Sequence, residues 1–546
     1  MRRIWAVTRQ TFAQCLRMKV AAAFIILLGV TLAILPVTMK GDGTLAGRIR
    51  TLLSYGCGMT ALWLSAVTIF TSIAVVASDI SGKQVFLVAA KPLARWQYVL
   101  GRWLGIVMLD AMLLVCAAVT LYAFAQYLRG QPALNPSDRR AVETEVFASR
   151  RRVSPDPPDV RQRVEQRIAR LKEEGRYADA LEAYRLRAKG DASLAEQLLT
   201  EQIQGDETTA VQSVGVGEGF LWRFKDIHVV GEEIAGRGKV TAVNLQAGAL
   251  RIQADPRLLG GMVYSGPIRV EGIDGQVIRL EGDFFEVQFR PEDAQRSTLT
   301  VLKPGSEVAL EVDPTIQVSF KANAAYVSAE RMLPALWQVL NPSTGFFYQE
   351  FRRDLYNTVH TLTLSARTVD TQGRTEIRYI NLPFTSTGQG ASVTILNSDV
   401  GVLYRVGGFE GNFIRAMALI FLQLMFLAAG GVCVGTFLSF PVACLVVFAV
   451  LLLSVGKEFL ATATAINPLI ATPVSQYIGH DAMKVIQVLL PDLSHTNPSG
   501  FLVDGMLVEW SYLGREAAST IGLRGVLVLA LACLIFSKRE LARVQV

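Results

Sequence analysis

The chain has 546 residues, 51% of them hydrophobic and only 18% charged, with a net charge of +7. Soluble domains carry about a quarter charged residues, so this balance excludes an ordinary soluble protein. The bases gather beside apolar stretches, which points to membrane orientation and away from nucleic-acid binding.

Ile4, Trp5, Thr8, Phe12 and Leu16 recur at helical spacing, with Arg2, Arg3, Arg9 and Arg17 between them. That pattern predicts an amphipathic helix on the inner membrane surface. Val20–Met39 follows without a charge, long enough to cross the hydrocarbon core. It exceeds the apolar core of a cleavable signal peptide, so a retained span is expected. Lys40–Gly56 reads as an outer loop, although it holds Lys40, Arg48 and Arg50. Cys57–Ser78 has no charge and Leu104–Ala125 has one, Asp110; these are the second and third spans. A carboxylate inside a span is costly and marks either a hydrogen-bonded site or a pathway. Arg102 is one expected partner for Asp110, a neighbour within the bundle another.

Between these spans lies "SDISGKQVFLVAAKPLARWQYVLGRWLG", with Asp79 against Lys83, Lys91, Arg95 and Arg102. Val85–Val88 predicts a short helix that stops at Lys91-Pro92. A second helix, lying in the interface, is expected through Trp96, Tyr98 and Val99. Proline suits the first turn of such a helix, and tryptophan and tyrosine suit the headgroup level.

From Arg129 the composition changes. Residues 129–158 are polar and proline-rich and read as linker, and 159–207 as charged helix, a helical pair turning near Gly175 or a short coiled coil. "EGRYADALEAYR" is similar to half of a tetratricopeptide unit, but it occurs once and such repeats need about three copies. Residues 214–406 alternate apolar and polar positions between glycines and prolines, which predicts a β-sandwich or a barrel-like sheet. "RMLPALWQVL" and "GFFYQEFRRDLYNTV" are expected to interrupt it as helix or loop. Gly407, Gly408 and Gly411 suggest a flexible joint before the membrane.

Ala416–Gly456 runs without a charge and is too long for one span. Gly435, Ser439 and Pro441 divide it into two. Ala517–Ser537, with Arg524 near one end, is the last span. The spans fall at about 20–39, 57–78, 104–125, 415–436, 439–457 and 517–537. The fold class expected is a six-helix polytopic membrane protein. A soluble α+β insert separates helices three and four: 1–128 is one membrane half, 129–412 the insert, 413–546 the other half. Lysine and arginine counts place both termini and the connector in the cytoplasm of a bacterial inner membrane, and 129–412 outside.

Signs of catalysis are absent from the sequence. "IAGRGKVT" has Val240 where a phosphate-binding loop needs a hydroxyl, and Glu233 where it needs its first glycine. "GVGEGF" reads as a turn. The six cysteines all sit in or beside apolar stretches and form no CxxC pair. His480, Asp481, Asp492 and His495 read as scattered loop residues, not a metal site. No cofactor and no enzymatic activity are expected.

"AAKPLARWQYVLGRWLG" resembles the connector before the third span of ABC-2 type transporter permeases, through Ala90, Lys91, Pro92, Arg95, Tyr98, Gly101 and Arg102. "GTFLSFPVACL", "VLLPDLSHTNPSG" and "LACLIFSKREL" resemble later landmarks of that family, and the basic N-terminal helix its elbow. Asp79-Ile80-Ser81-Gly82-Lys83 departs from the usual acidic-glycine-threonine start. The resemblance covers about 1–125 and 413–546. It implies a separate cytoplasmic ABC ATPase subunit that hydrolyses ATP, a second permease copy or a sister permease, and a connector that acts as coupling helix. The coupling residues would be Asp79, Gly82, Lys83, Lys91, Pro92, Arg95, Trp96, Tyr98 and Arg102. Pro92 and a buried Trp96 would stiffen it, and Arg95 and Arg102 would meet acids on the ATPase. Export is the expected direction. The alternative is a membrane-anchored extracytoplasmic binding or assembly protein on the same scaffold, without transport.

Overall fold

The computed structural model describes residues 2–38, 41–81, 94–134, 136–185, 188, 191–229, 234–244, 247–253, 267–281, 284–290, 292–293, 298–312, 314–324, 332–384, 390–457, 459–460, 490–493 and 498–538.

Four helices are long and apolar enough to cross a membrane: Leu45–Ile80, Arg95–Arg129, Phe409–Gly435 and Trp510–Lys538. Two shorter apolar helices cover Ala22–Leu35 and Phe440–Val455. In chain order the membrane part begins with α1 (Arg2–Leu16), α2 (Lys19–Thr38), α3 (Leu45–Ser81) and α4 (Arg95–Arg129). The insert opens with α5 (Pro136–Ala141) and carries α6 (Arg161–Glu173), α7 (Tyr177–Arg185) and α8 (Ala192–Val211). Then come α9 (Phe409–Gly435), α10 (Phe440–Val455), α11 (Pro498–Val503) and α12 (Trp510–Lys538). The break between α9 and α10 falls where expected, with Ser439 at the N-cap and Pro441 in the first turn. Proline there gives up no helical hydrogen bond.

The expected outer loop at 40–56 is instead largely helix, because α3 starts at Leu45. Leu45, Ile49, Leu52 and Leu53 are all buried at a spacing that lines one helical face. Arg50, the odd base in that segment, pairs with Glu145 of the insert at 2.5 Å. The start of α3 is capped from a distance: Asp138 accepts the backbone N–H groups of Leu45 (2.8 Å) and Ala46 (2.9 Å). A carboxylate there satisfies otherwise orphaned donors and suits the helix dipole.

Asp138 belongs to the stretch expected to be linker, and that expectation is overturned. Residues 136–153 form α5, a π-helical turn Val142–Val146 and the strand Ala148–Val153. Val142, Val146, Phe147 and Ala148 are buried. The charged residues mask this in composition, but the few apolar ones pack against the helix bundle.

The insert combines three units. Helices α6, α7 and α8 share an apolar core through Val164, Tyr184, Ala195, Leu199 and Ile203, so three helices stand where a pair was expected. Gly175 turns the chain between the first two with φ +70°. Two four-stranded sheets face each other. One has the order 148–153, 401–408, 315–321, 359–365, the other 347–355, 332–340, 375–381, 219–224. Their inner faces meet over Trp222, Trp337, Phe320, Tyr379 and Tyr404. A closed six-stranded barrel lies between Ile234 and Val312 around Leu250, Ile252, Phe285 and Val287. The insert therefore contains both a sandwich and a barrel.

"RMLPALWQVL" and "GFFYQEFRRDLYNTV" are strands, not helix or loop. They pair as a hairpin from Met332↔Leu355 to Leu340↔Phe347. Leu333, Ala335, Trp337 and Val339 alternate into the core, a period of two that the apolar Met332, Leu336 and Leu340 beside them obscure. Asn341 closes the turn by accepting the N–H groups of Ser343 and Thr344.

The chain leaves the insert on the strand Gly401–Gly408, which pairs with Ala148–Val153 and passes directly into α9. Of the glycines expected to form a flexible joint, Gly407 is laddered against Ser149 and Gly408 against Ala148, and Gly411 lies in the first turn of α9. Entry and exit strands of the insert are thus neighbours in one sheet, fixed to the same end of the bundle.

Candidate coupling site

The connector is flanked by Asp79 at the end of α3 and Arg95 at the start of α4. Gly82, Lys83, Lys91 and Pro92 lie outside the described residues, as does the expected short helix at Val85–Val88. After them the chain forms one continuous helix from Arg95 to Arg129. Among the described residues, Trp96, Tyr98 and Val99 belong to this helix and not to a separate interfacial one. The Gln97 side chain accepts the Ala94 N–H at 3.3 Å and marks the start of α4.

Arg95, Tyr98 and Arg102 lie three and four positions apart and so share one face of α4. That face looks inward: Tyr98 is 2% exposed and Arg102 3%. Trp96 points the other way and is 52% exposed, so the stiffening buried aromatic is Tyr98, not Trp96. Arg102 forms an ion pair with Asp79, and the Tyr98 hydroxyl donates to the same carboxylate oxygen. The Arg102 guanidinium also donates to Thr11 Oγ1 (3.1 Å) and Gln14 Oε1 (2.9 Å) of α1. The Tyr98 ring stacks on Phe536 at 5.2 Å. Arg95 donates to the carbonyls of Phe536 and Ser537 at the end of α12.

One cluster therefore joins α1, α3, α4 and α12 within a few residues of both ends of the connector. Both terminal nitrogens of Arg102 are engaged inside the chain, its Nε is buried without a hydrogen-bond partner among the described residues, and the side chain is not presented to acids on another subunit. A charged pair this deeply buried is held by mutual attraction and by its extra hydrogen bonds. Removing one partner strands the other charge.

The approach of α1 depends on two glycines. A Cβ on Gly101 would lie 2.7 Å from Val7 Cβ, and one on Gly105 would lie 2.5 Å from Thr11 Cβ. With Thr8, Thr11 and Cys15 buried, α1 turns a small, polar face to α4. Its Trp5 (61% exposed) and Leu16 (44%) stay uncovered by the chain, as the amphipathic reading expects of a helix resting on lipid. The basic residues Arg2, Arg3, Arg9 and Arg17 are exposed.

Asp110 lies about two turns further along α4 and is fully buried. Its partner is Thr68, whose hydroxyl donates to Oδ1 at 2.9 Å; Arg102 is spoken for by Asp79. Asp110 Oδ2 has no hydrogen-bond partner among the described residues. Ser65 accepts from Gln423 at 3.0 Å, and the Trp103 ring N–H donates to the Met425 carbonyl at 3.0 Å. These bonds tie α3 and α4 to α9.

Sequence reasoning named Asp79, Arg95, Tyr98 and Arg102, and the structure brings them together. It missed Thr11, Gln14 and Phe536. The spacing of Thr8, Thr11 and Cys15 opposite a Gly-x-x-x-Gly pair was the available signal, since small residues let helices approach. Among the described residues no group of histidine, cysteine, aspartate and glutamate is placed to hold a metal. No known protein family, no curated protein and no solved structure matches the chain.

Proposed function

We propose that the chain is the permease subunit of an ABC-2 type transporter, working with a separate cytoplasmic ABC ATPase and a second permease subunit. In this reading α2 and α10 join the four long helices as spans. Six spans put both termini and the connector on the cytoplasmic face, and the insert outside. ATP-driven movement of the partner acts on residues 79–103 and is passed to the bundle.

The observation that carries the reading is the cluster of Asp79, Tyr98 and Arg102. It grips both ends of the connector and links them to α1 and α12. A push on the connector therefore reaches four helices at once. Affinity purification from native membranes, followed by mass spectrometry, tests this. A stoichiometric ATPase subunit that is lost on altering Lys91–Arg95 supports the proposal. A chain that purifies alone and stimulates no ATP hydrolysis in liposomes overturns it.

One feature favours the alternative of an anchored binding or assembly protein: residues 129–412 make up about half of the chain. The same purification separates the two, because that role needs no ATPase.

A further inference from the structure

Where the insert meets the bundle, a cleft of about 400 Å³ opens between the strand Ala148–Val153 and the first turns of α12. That volume falls in the range of small-molecule sites. Its charge is one-sided: Arg150, Arg151, Arg152 and Arg515 line it with one acid, Glu509. Arg150 is buried and spent on Gln317 and the Asp504 carbonyl. Arg151 is taken by Glu509 at 2.6 Å. The Ser511 hydroxyl, followed by Arg151, holds the Glu509 carboxyl below its usual range, so this pair stays ionised and neutral overall. Arg152 gives one hydrogen bond to the Ser398 carbonyl. Arg515 rests its guanidinium 5.7 Å from the Tyr512 ring centre and has no acid within ion-pair reach among the described residues. Arg152 and Arg515, both exposed, thus line the cleft together with Phe501 and Tyr512, whose rings are 5.7 Å apart.

Two further facts bear on the ligand. The first turn of α12 starts beside the cleft, and no side chain caps it; uncapped N–H groups and the helix dipole favour an anion. Trp510, also in that turn, is 68% exposed and lies over Arg415. An exposed tryptophan at the start of an apolar helix marks the headgroup level of a membrane.

We propose that this cleft binds the phosphate headgroup of an anionic membrane lipid. Arg152 and Arg515 receive the phosphate, and Tyr512 and Phe501 lie against the start of the acyl region. The lipid bridges the insert and α12. The inference needs only that α12 enters a membrane and does not depend on the transporter reading.

The test uses the full chain in nanodiscs of phosphatidylcholine with one tenth phosphatidylglycerol, released for native mass spectrometry. The expected result is one retained phosphatidylglycerol, reduced about tenfold in the R152Q/R515Q double variant and unchanged in R237Q, a surface change on the barrel. Both altered arginines are exposed, and a thermal melt matching the unaltered protein confirms folding. A headgroup photocrosslinking phosphatidylglycerol should label Tyr512 or Phe501. Equal retention in the double variant overturns the proposal. So does full displacement by millimolar inorganic phosphate, which would assign the cleft to a soluble anion.

Discussion

The two ends of the helix bundle are held by different chemistry. At the connector end, side chains bind side chains: Asp79, Tyr98 and Arg102, with Thr11 and Gln14 around them. At the insert end, the ion pairs Arg50–Glu145 and Arg151–Glu509 are joined by side chains that bind backbone. The Asn412 amide donates to the Met506 carbonyl (2.7 Å) and accepts the Val508 N–H (2.8 Å). Arg415 donates to the Val508 carbonyl at 2.9 Å. Arg150 bridges Gly505 and Leu507 through its own N–H and carbonyl, each at 2.8 Å. An ion pair responds to any charge or displacement brought near it. An amide locked onto main chain has only one arrangement to offer. On the proposed function, the connector end would take up the partner's movement and the insert end would pass it to the entry and exit strands.

The largest expected effect comes from splitting the ion pair. R102M leaves Asp79 buried without its cation and should cost about 3–5 kcal/mol, read as a large drop in melting temperature and in membrane accumulation. If D79N combined with R102M recovers much of that loss, the pair acts as a unit. Additive losses would break the contrast between the two ends.

G505A comes next. Gly505 has φ +59°, and a Cβ there would lie 1.9 Å from the Glu145 carbonyl oxygen. Strained backbone costs about 1–3 kcal/mol, and the clash adds to it. The effect should fall on stability and on protease resistance near 501–510.

N412A should leave two buried backbone groups unsatisfied, at about 1–3 kcal/mol for each. N412D keeps the acceptor but buries a carboxylate against the Met506 carbonyl oxygen, and should cost at least as much as N412A. Equal melts for all three would show that water replaces the amide and that the insert end is not locked. The smallest change is D138A, which removes the distant cap of α3 and should cost about 1 kcal/mol. Faster hydrogen exchange at Leu45, Ala46 and Leu134, whose N–H groups Asp138 accepts, would check it.

Much of the connector end was legible in the sequence. Arg95, Tyr98 and Arg102 repeat at helical spacing, and Asp79 is the lone acid of the connector. Their partners on α1 and α12 come from hundreds of residues away or from the far side of an amphipathic helix, and spacing within one segment does not announce them. The insert end was misread because its signals are sparse. Asp138, Arg150 and Asn412 lie in polar or glycine-rich stretches that look like linker, and each acts on backbone, which carries no sequence signature. The hairpin 332–355 was lost for a different reason: Leu336 and Leu340 on its outer face add apolar residues that blur a period of two.

The central claim is that an ATP-hydrolysing partner on the inner face acts through the connector. Lys91→Cys in otherwise native protein, probed in intact cells and in inverted vesicles, tests it most directly. The account predicts that a membrane-impermeant thiol reagent labels position 91 only in inverted vesicles, and that a short crosslinker there captures an ABC ATPase subunit. Labelling of position 91 from outside intact cells would contradict it.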